Sequence, residues 1–150
     1  MNKFLKLFFK TKMFPNSYDW AMLTLRVIPS FYLFYYHGIG KLARGSSSWE
    51  WLGEAALSLI GIEFGYIIFG FFAALSEGVF SWLVILGLFT RIASIFIMVT
   101  MFFAGFYHLA QGDSPESAFI YFTIYLVVFI LGSGKYSLEY LLSKKLRSEN

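Results

Sequence analysis

Arg26, Ser30, Leu33, His37 and Lys41 stand four, three, four and four residues apart, in a stretch otherwise made of aliphatic and aromatic side chains. At 3.6 residues per turn that spacing keeps all five on one helical face. An ionisable group at the centre of a membrane-spanning helix costs about 2.5–3.5 kcal/mol on insertion scales. The face is therefore expected to point inward, at a partner or a task. Glu77 lies mid-way along a second apolar run. Arg26 lies roughly 13 Å into its own helix at 1.5 Å per residue, within reach of that carboxylate by this reckoning. The expectation is an ion pair or shared hydrogen-bond network between Arg26 and Glu77 that fixes helix register.

His108 closes a third apolar run at the depth of His37, and Asp113 and Glu116 follow it. These positions predict a polar pocket formed by His37, Lys41, His108 and Glu116, with Glu77 and Arg26 beneath. Imidazoles titrate near neutrality and can donate to a carbonyl oxygen, while a carboxylate and a guanidinium tune protonation below. Such chemistry suits a protonatable head group, a quinone's carbonyl being one example.

The elements that must position these groups are membrane elements. Of 150 residues, 58% are hydrophobic and 22% aromatic, while only 14% are charged, against about a quarter in soluble domains. The net charge of +3 comes from lysines and arginines that flank apolar runs, which fits anionic lipid and not nucleic acid. There is no cysteine, so thiolate metal ligation, disulfides and thiol redox chemistry are excluded. No metal site is expected. "MNKFLKLFFKTKMF" is basic, but lysines interrupt it and no small-residue cleavage site follows, so a removable signal peptide is not expected.

Four segments have spanning length, which takes roughly 17–25 residues: 18–40, 65–88, 91–110 and 115–131. "GLFTR" divides the second from the third, with Arg91 in the turn; Asp113 or Ser114 is expected to cap the fourth, with Pro115 in its first turn. The fold expected is an all-α membrane protein, a bundle of four transmembrane helices in the cytoplasmic (inner) membrane. Lys3, Lys6, Lys10, Lys12, Arg91, Lys135, Lys144, Lys145 and Arg147 place both termini in the cytoplasm by the positive-inside rule. Residues 1–17 form a basic amphipathic N-terminal segment, 18–134 the transmembrane domain and 135–150 an amphipathic C-terminal segment. Between helices one and two, Leu52, Ala55, Ala56, Leu59 and Ile60 share one face. They predict a short amphipathic helix lying at the outer interface, anchored by Trp49 and Trp51. Gly70, Ala73, Ala74, Gly78 and Ser81 give helix two a small-residue face for close packing.

These motifs resemble the DoxX family. "LRVIPSFYLFYYHGIGKL" is similar to that family's first helix and "FFAALSEGVFSWLVILGLFTRIAS" to its second. "FYHLAQGDSPESAFIYFTIYLVVFILGSGKYSLEYLL" resembles its closing section, including the G-x-G-K/R-Y-S-L ending. The resemblance covers about residues 18–142, and the polar residues it carries over are Arg26, His37, Lys41, Glu77, Arg91, His108 and Glu116. It implies a four-helix membrane protein of a family associated, in some organisms, with quinone-linked sulfur oxidation or oxidative-stress assemblies.

Two functions fit. One is a quinone or lipid-like ligand site in a membrane redox or envelope complex; no electron donor is visible, so any redox enzyme would need a partner subunit. The other is a non-catalytic scaffold that docks and stabilises a larger membrane complex, through another membrane or envelope protein or by self-association. Haem between His37 and His108 is disfavoured, because Lys41 and Asp113 beside them suit hydrogen bonding better, and no intrinsic cofactor is expected. A vitamin K epoxide reductase-like enzyme would need cysteines, and a transporter of four helices would first have to oligomerise.

Overall fold

The computed structural model describes residues 15–149; most of the expected N-terminal amphipathic segment lies outside the described residues. Every regular element among them is helical. α1 (Ser17–Leu33) passes through a π-turn (Phe34–Gly38) into α2 (Ile39–Ala43) without a break, making a first rod. α3 (Ser46–Leu57) and a 3₁₀ turn (Ser58–Ile60) follow. α4 (Tyr66–Leu75), a second π-turn (Ser76–Phe80) and α5 (Ser81–Leu86) make a second rod. α6 (Thr90–Gln111), α7 (Glu116–Leu131) and α8 (Leu138–Ser148) complete the described chain.

The boundaries follow local chemistry. Gly87 and Gly112 end α5 and α6 in the left-handed conformation, at φ 66° and 77°, where a Cβ would be penalised. At the start of α7 the capping position falls to Pro115 and not to Asp113 or Ser114; Ser114 Oγ only accepts from Glu116 N at 3.4 Å. Ser137 caps α8 by accepting from Tyr140 N at 3.2 Å.

The two rods, α6 and α7 close into a ring. α1 packs on α5, the two π-turns pack on each other, the second rod packs on α6, α6 on α7, and α7 back on α1. Its centre holds Met22, Leu33, Val84, Ile97, Tyr125 and Val128. Arg26, Ser30, Ser76, Glu77, Ser81, Thr90 and Ser94 are buried with them. The outside is apolar: α6 exposes Ile92, Ile95, Phe96, Val99, Phe102, Phe106 and Leu109. Polar groups inside and hydrocarbon outside is the arrangement that lipid, and not water, stabilises. Of the four spans expected, Tyr66–Leu86 and Thr90–Gln111 are long and apolar enough to cross a bilayer; Glu116–Leu131 is apolar but shorter.

One expectation changes. Of the face expected for the helix between the rods, Ala56 is buried and Leu52 and Ala55 are half-buried, whereas Leu59 and Ile60 are exposed. α3 runs antiparallel to α4 as an αα-hairpin. It buries Gly53, Ala56 and Leu57, leaving Leu59 and Ile60 exposed. A Cβ on Gly53 would collide with the Tyr66 carbonyl, and one on Gly70 with the Trp49 carbonyl. Glycine at both crossings lets the backbones touch, and this contact decides which face is buried.

Candidate functional site

Two polar centres occupy different levels of the bundle. The first surrounds Arg26, which has no exposed surface. Its Nη1 donates to the carbonyls of Val84 (3.2 Å) and Ile85 (3.5 Å), and its Nη2 to that of Tyr136 (2.5 Å). The last carbonyls of α5 carry the negative end of the helix dipole; that of Val84 already accepts from Gly87 N at 3.0 Å, and the guanidinium adds a charged donor to it. Gly87 has no room for a side chain, since a Cβ there would overlap Arg26 Nη1.

Arg26 therefore makes no ion pair with Glu77, contrary to the expectation. The reason is depth. Glu77 lies seven residues before Val84, roughly 10 Å along a helix at 1.5 Å per residue. The second rod meets the arginine with its C-terminal carbonyls and carries the carboxylate out of reach. Glu77 pairs with Lys41 instead, Nζ to Oε1 at 2.6 Å.

That pair belongs to the second centre, which both π-turns build. A π-turn inserts a residue into the helical repeat and shifts the faces that follow, and such turns recur at functional sites. Here they abut through glycine: a Cβ on Gly38 would stand 2.5 Å from the Glu77 carbonyl oxygen and 2.8 Å from Gly78 Cα. The close approach carries His37 and Lys41, from one rod, over Glu77, from the other. A small cavity of about 70 Å³ results, lined by Leu33, His37, Lys41, Glu77, Met101, Ala104, His108, Ser117, Ala118 and Tyr121. Glu77 forms its floor at 1% exposure, and its Oε2 accepts no hydrogen bond. His37 is exposed at the rim, its ring edge-on to Tyr121 with centroids 6.4 Å apart. His108 Nδ1 has no hydrogen bond and lies 3.8 Å from the exposed carboxylate of Asp113.

Of the six pocket residues expected, the structure brings His37, Lys41, Glu77 and His108 together. Arg26 belongs to the other centre, and Glu116 is exposed at the start of α7 outside the cavity lining, where Ser117 faces in instead. Arg91, in the first turn of α6, donates from Nε to the Phe129 carbonyl at 3.3 Å, so it ties α6 to α7.

Sequence reasoning missed several contributors. Asp19 is buried, accepting from Lys135 N at 3.0 Å, with Lys135 Nζ 3.5 Å from its other oxygen. A carboxylate one turn into a spanning helix was the available signal. Tyr125, fully buried, donates to Ser30 Oγ at 2.8 Å; its place two turns into α7 gave no warning among so many exposed aromatics. Glu139 Oε1 accepts from Thr90 N at 2.6 Å, and Glu139 N donates to the Gly87 carbonyl at 3.0 Å. Trp49, read as an interfacial anchor, donates from Nε1 to the Lys41 carbonyl at 3.2 Å.

A family model described as DoxX matches residues 21–110, the region holding both rods, α3 and α6. No curated protein and no solved structure matches the chain.

Proposed function

The chain belongs to the DoxX family, and from that premise we propose that it is a small subunit of the cytoplasmic membrane whose histidine-rimmed chamber receives the polar head of a quinone or lipid-like ligand. In this reading the two rods, α6 and α7 each cross the bilayer, both termini are cytoplasmic, and the α3–α4 hairpin lies on the outer side. The distribution of lysine and arginine supports that orientation.

The observation that carries the reading is the meeting of the Lys41–Glu77 pair, with Glu77 Oε2 unpartnered, and two imidazoles around one cavity. Lys41 and the histidines can donate to a ligand oxygen, and Glu77 can exchange a proton with it. At about 70 Å³ the cavity has the room of about two waters at roughly 30 Å³ each. A carbonyl head therefore enters oxygen first, and a ring follows only when the rim between His37 and His108 widens. Any electron must come from a second subunit.

The test is to extract the protein purified from its native membrane and to chromatograph the lipid fraction. Near-stoichiometric quinone that falls about tenfold in a His37→Ala variant, as loss of one hydrogen bond predicts, supports the ligand site. Absence of quinone together with a stoichiometric protein partner supports the second reading, a scaffold subunit. That alternative draws on the Arg26 centre, which ties α1 to the end of α5 and to Tyr136, and on the hairpin as a docking face. A haem absorption band would overturn both.

A further inference from the structure

We propose that the chamber is a one-sided proton-exchange site, in which Glu77 takes and releases protons through His108 and Asp113 at one end of the bundle and is closed to the other. The proposal rests on the chamber being the functional centre, as read above, but not on the identity of any ligand.

Glu77 is the group that requires it. Lys41 holds Oε1 at 2.6 Å, while Oε2 is buried without a donor. An unsatisfied buried acceptor is unfavourable, the more so when charged. A proton on Oε2, or a donating water, removes that penalty, and the cavity has the volume for about two waters. The polar groups facing Glu77 are His37 from the first π-turn, Lys41 from α2, His108 from α6, and Ser117 and Tyr121 from α7. Among the described residues His108 joins the chamber to an exposed acid: its Nδ1 is 3.8 Å from Asp113 Oδ2, on a side chain 69% exposed. An imidazole with one nitrogen toward a surface carboxylate and its ring edge in the chamber accepts a proton on one side and gives one up on the other.

The balance is simple. A proton from bulk water reaches Asp113 and passes, through a water bridging the 3.8 Å gap, to His108 Nδ1. The proton on the other ring nitrogen leaves to a chamber water, whose own proton goes to Glu77 Oε2. One positive charge enters and one carboxylate is neutralised, with no electron moved.

The opposite direction is shut. Beneath Glu77, the Ser81 hydroxyl donates to the Glu77 carbonyl at 2.8 Å and Tyr125 donates to Ser30 at 2.8 Å. Leu33, Val84, Ile97 and Val128 fill the space around them. Arg26 then sets a fixed positive charge across the path, committed to three carbonyls, which repels a proton.

Infrared spectroscopy of the protein in lipid nanodiscs, with no ligand added, tests this. The carboxylic acid band that disappears in Glu77→Gln is followed during pH and deuterium jumps. We expect a pH-dependent Glu77 band in the wild type. Its exchange should slow about 10²-fold in His108→Phe, as loss of a positioned proton-transfer group predicts, slow less in Asp113→Asn, and stay unchanged in Tyr125→Phe. His108→Gln serves if the phenylalanine variant does not fold by circular dichroism. A wild-type band that ignores pH, or exchange slowed by Tyr125→Phe and not by the His108 variants, overturns the proposal. Either result leaves the quinone test standing, because that test reads bound ligand and not proton movement.

Discussion

Removing Lys41 isolates the partner choice of Glu77. In Lys41→Met the carboxylate, 1% exposed, loses its one side-chain donor among the described residues. Deleting one member of a buried pair destabilises by about 3–5 kcal/mol. Lys41 keeps 25% of its side-chain surface exposed, so solvent screens part of the attraction. The expected loss is therefore about 3 kcal/mol, at the low end of the range. Lys41→Met combined with Glu77→Gln leaves a neutral amide in place of the charge, and about 2 kcal/mol should return. Reversible unfolding in mixed micelles, followed by far-ultraviolet circular dichroism, gives the cycle. Costs that add within about 0.5 kcal/mol would refute the pairing. So would coupling of that size between Arg26→Met and Glu77→Gln with none at Lys41.

Three further outcomes follow from the same geometry. Gly38→Ala pushes a Cβ to 2.5 Å from the Glu77 carbonyl oxygen and should destabilise by about 1–3 kcal/mol; Gly40→Ala, with nothing within 4 Å, should instead gain up to about 1 kcal/mol in the same unfolding assay. Arg26→Lys keeps the charge but not the fork that joins the Val84 and Tyr136 carbonyls, so a loss of about 2 kcal/mol in the unfolding midpoint analysis is expected. Gly53→Ala and Gly70→Ala each drive a methyl group into the opposing backbone of the α3–α4 hairpin; amide hydrogen exchange should rise in Ser46–Leu57 while α6 and α7 keep their protection.

The legible part of this molecule was the part governed by local chemistry. Gly87 and Gly112 end helices wherever they occur, and the apolar runs on either side of "GLFTR" place Tyr66–Leu86 and Thr90–Gln111 within about two residues, the usual scatter of helix ends. The convergence of His37, Lys41, Glu77 and His108 was also readable, since uncompensated polar groups in an apolar helix have few other places to go. The partner of Glu77 was not. Face arithmetic assumes an unbroken 3.6-residue repeat, and the two π-turns, at Phe34–Gly38 and Ser76–Phe80, change it at the residues that matter. Nor does spacing along one helix reveal the vertical offset between two, which sends Arg26 to Val84 and leaves Glu77 to Lys41. The face between the rods was legible in part: Ala56 is buried as expected, but Leu59 and Ile60, in the 3₁₀ turn beyond the close backbone approach at Gly53, are exposed.

The segment from Lys135 to Glu139 has a bearing on how the chain matures in the membrane. Its Tyr136 carbonyl completes the coordination of Arg26, its Glu139 carboxylate covers the first amide of α6, and its Lys135 neutralises Asp19. All three recipients lie in helices that leave the ribosome earlier. Until this stretch arrives, the Arg26 guanidinium, the Thr90 amide and the Asp19 carboxylate lack these partners, so the earlier helices are not yet clasped. Biogenesis is then a zipper with its catch at the far end: a stop codon before Lys135 would yield inserted helices that proteases recognise as unfinished, whereas an extension fused beyond Ser148 would leave the catch intact.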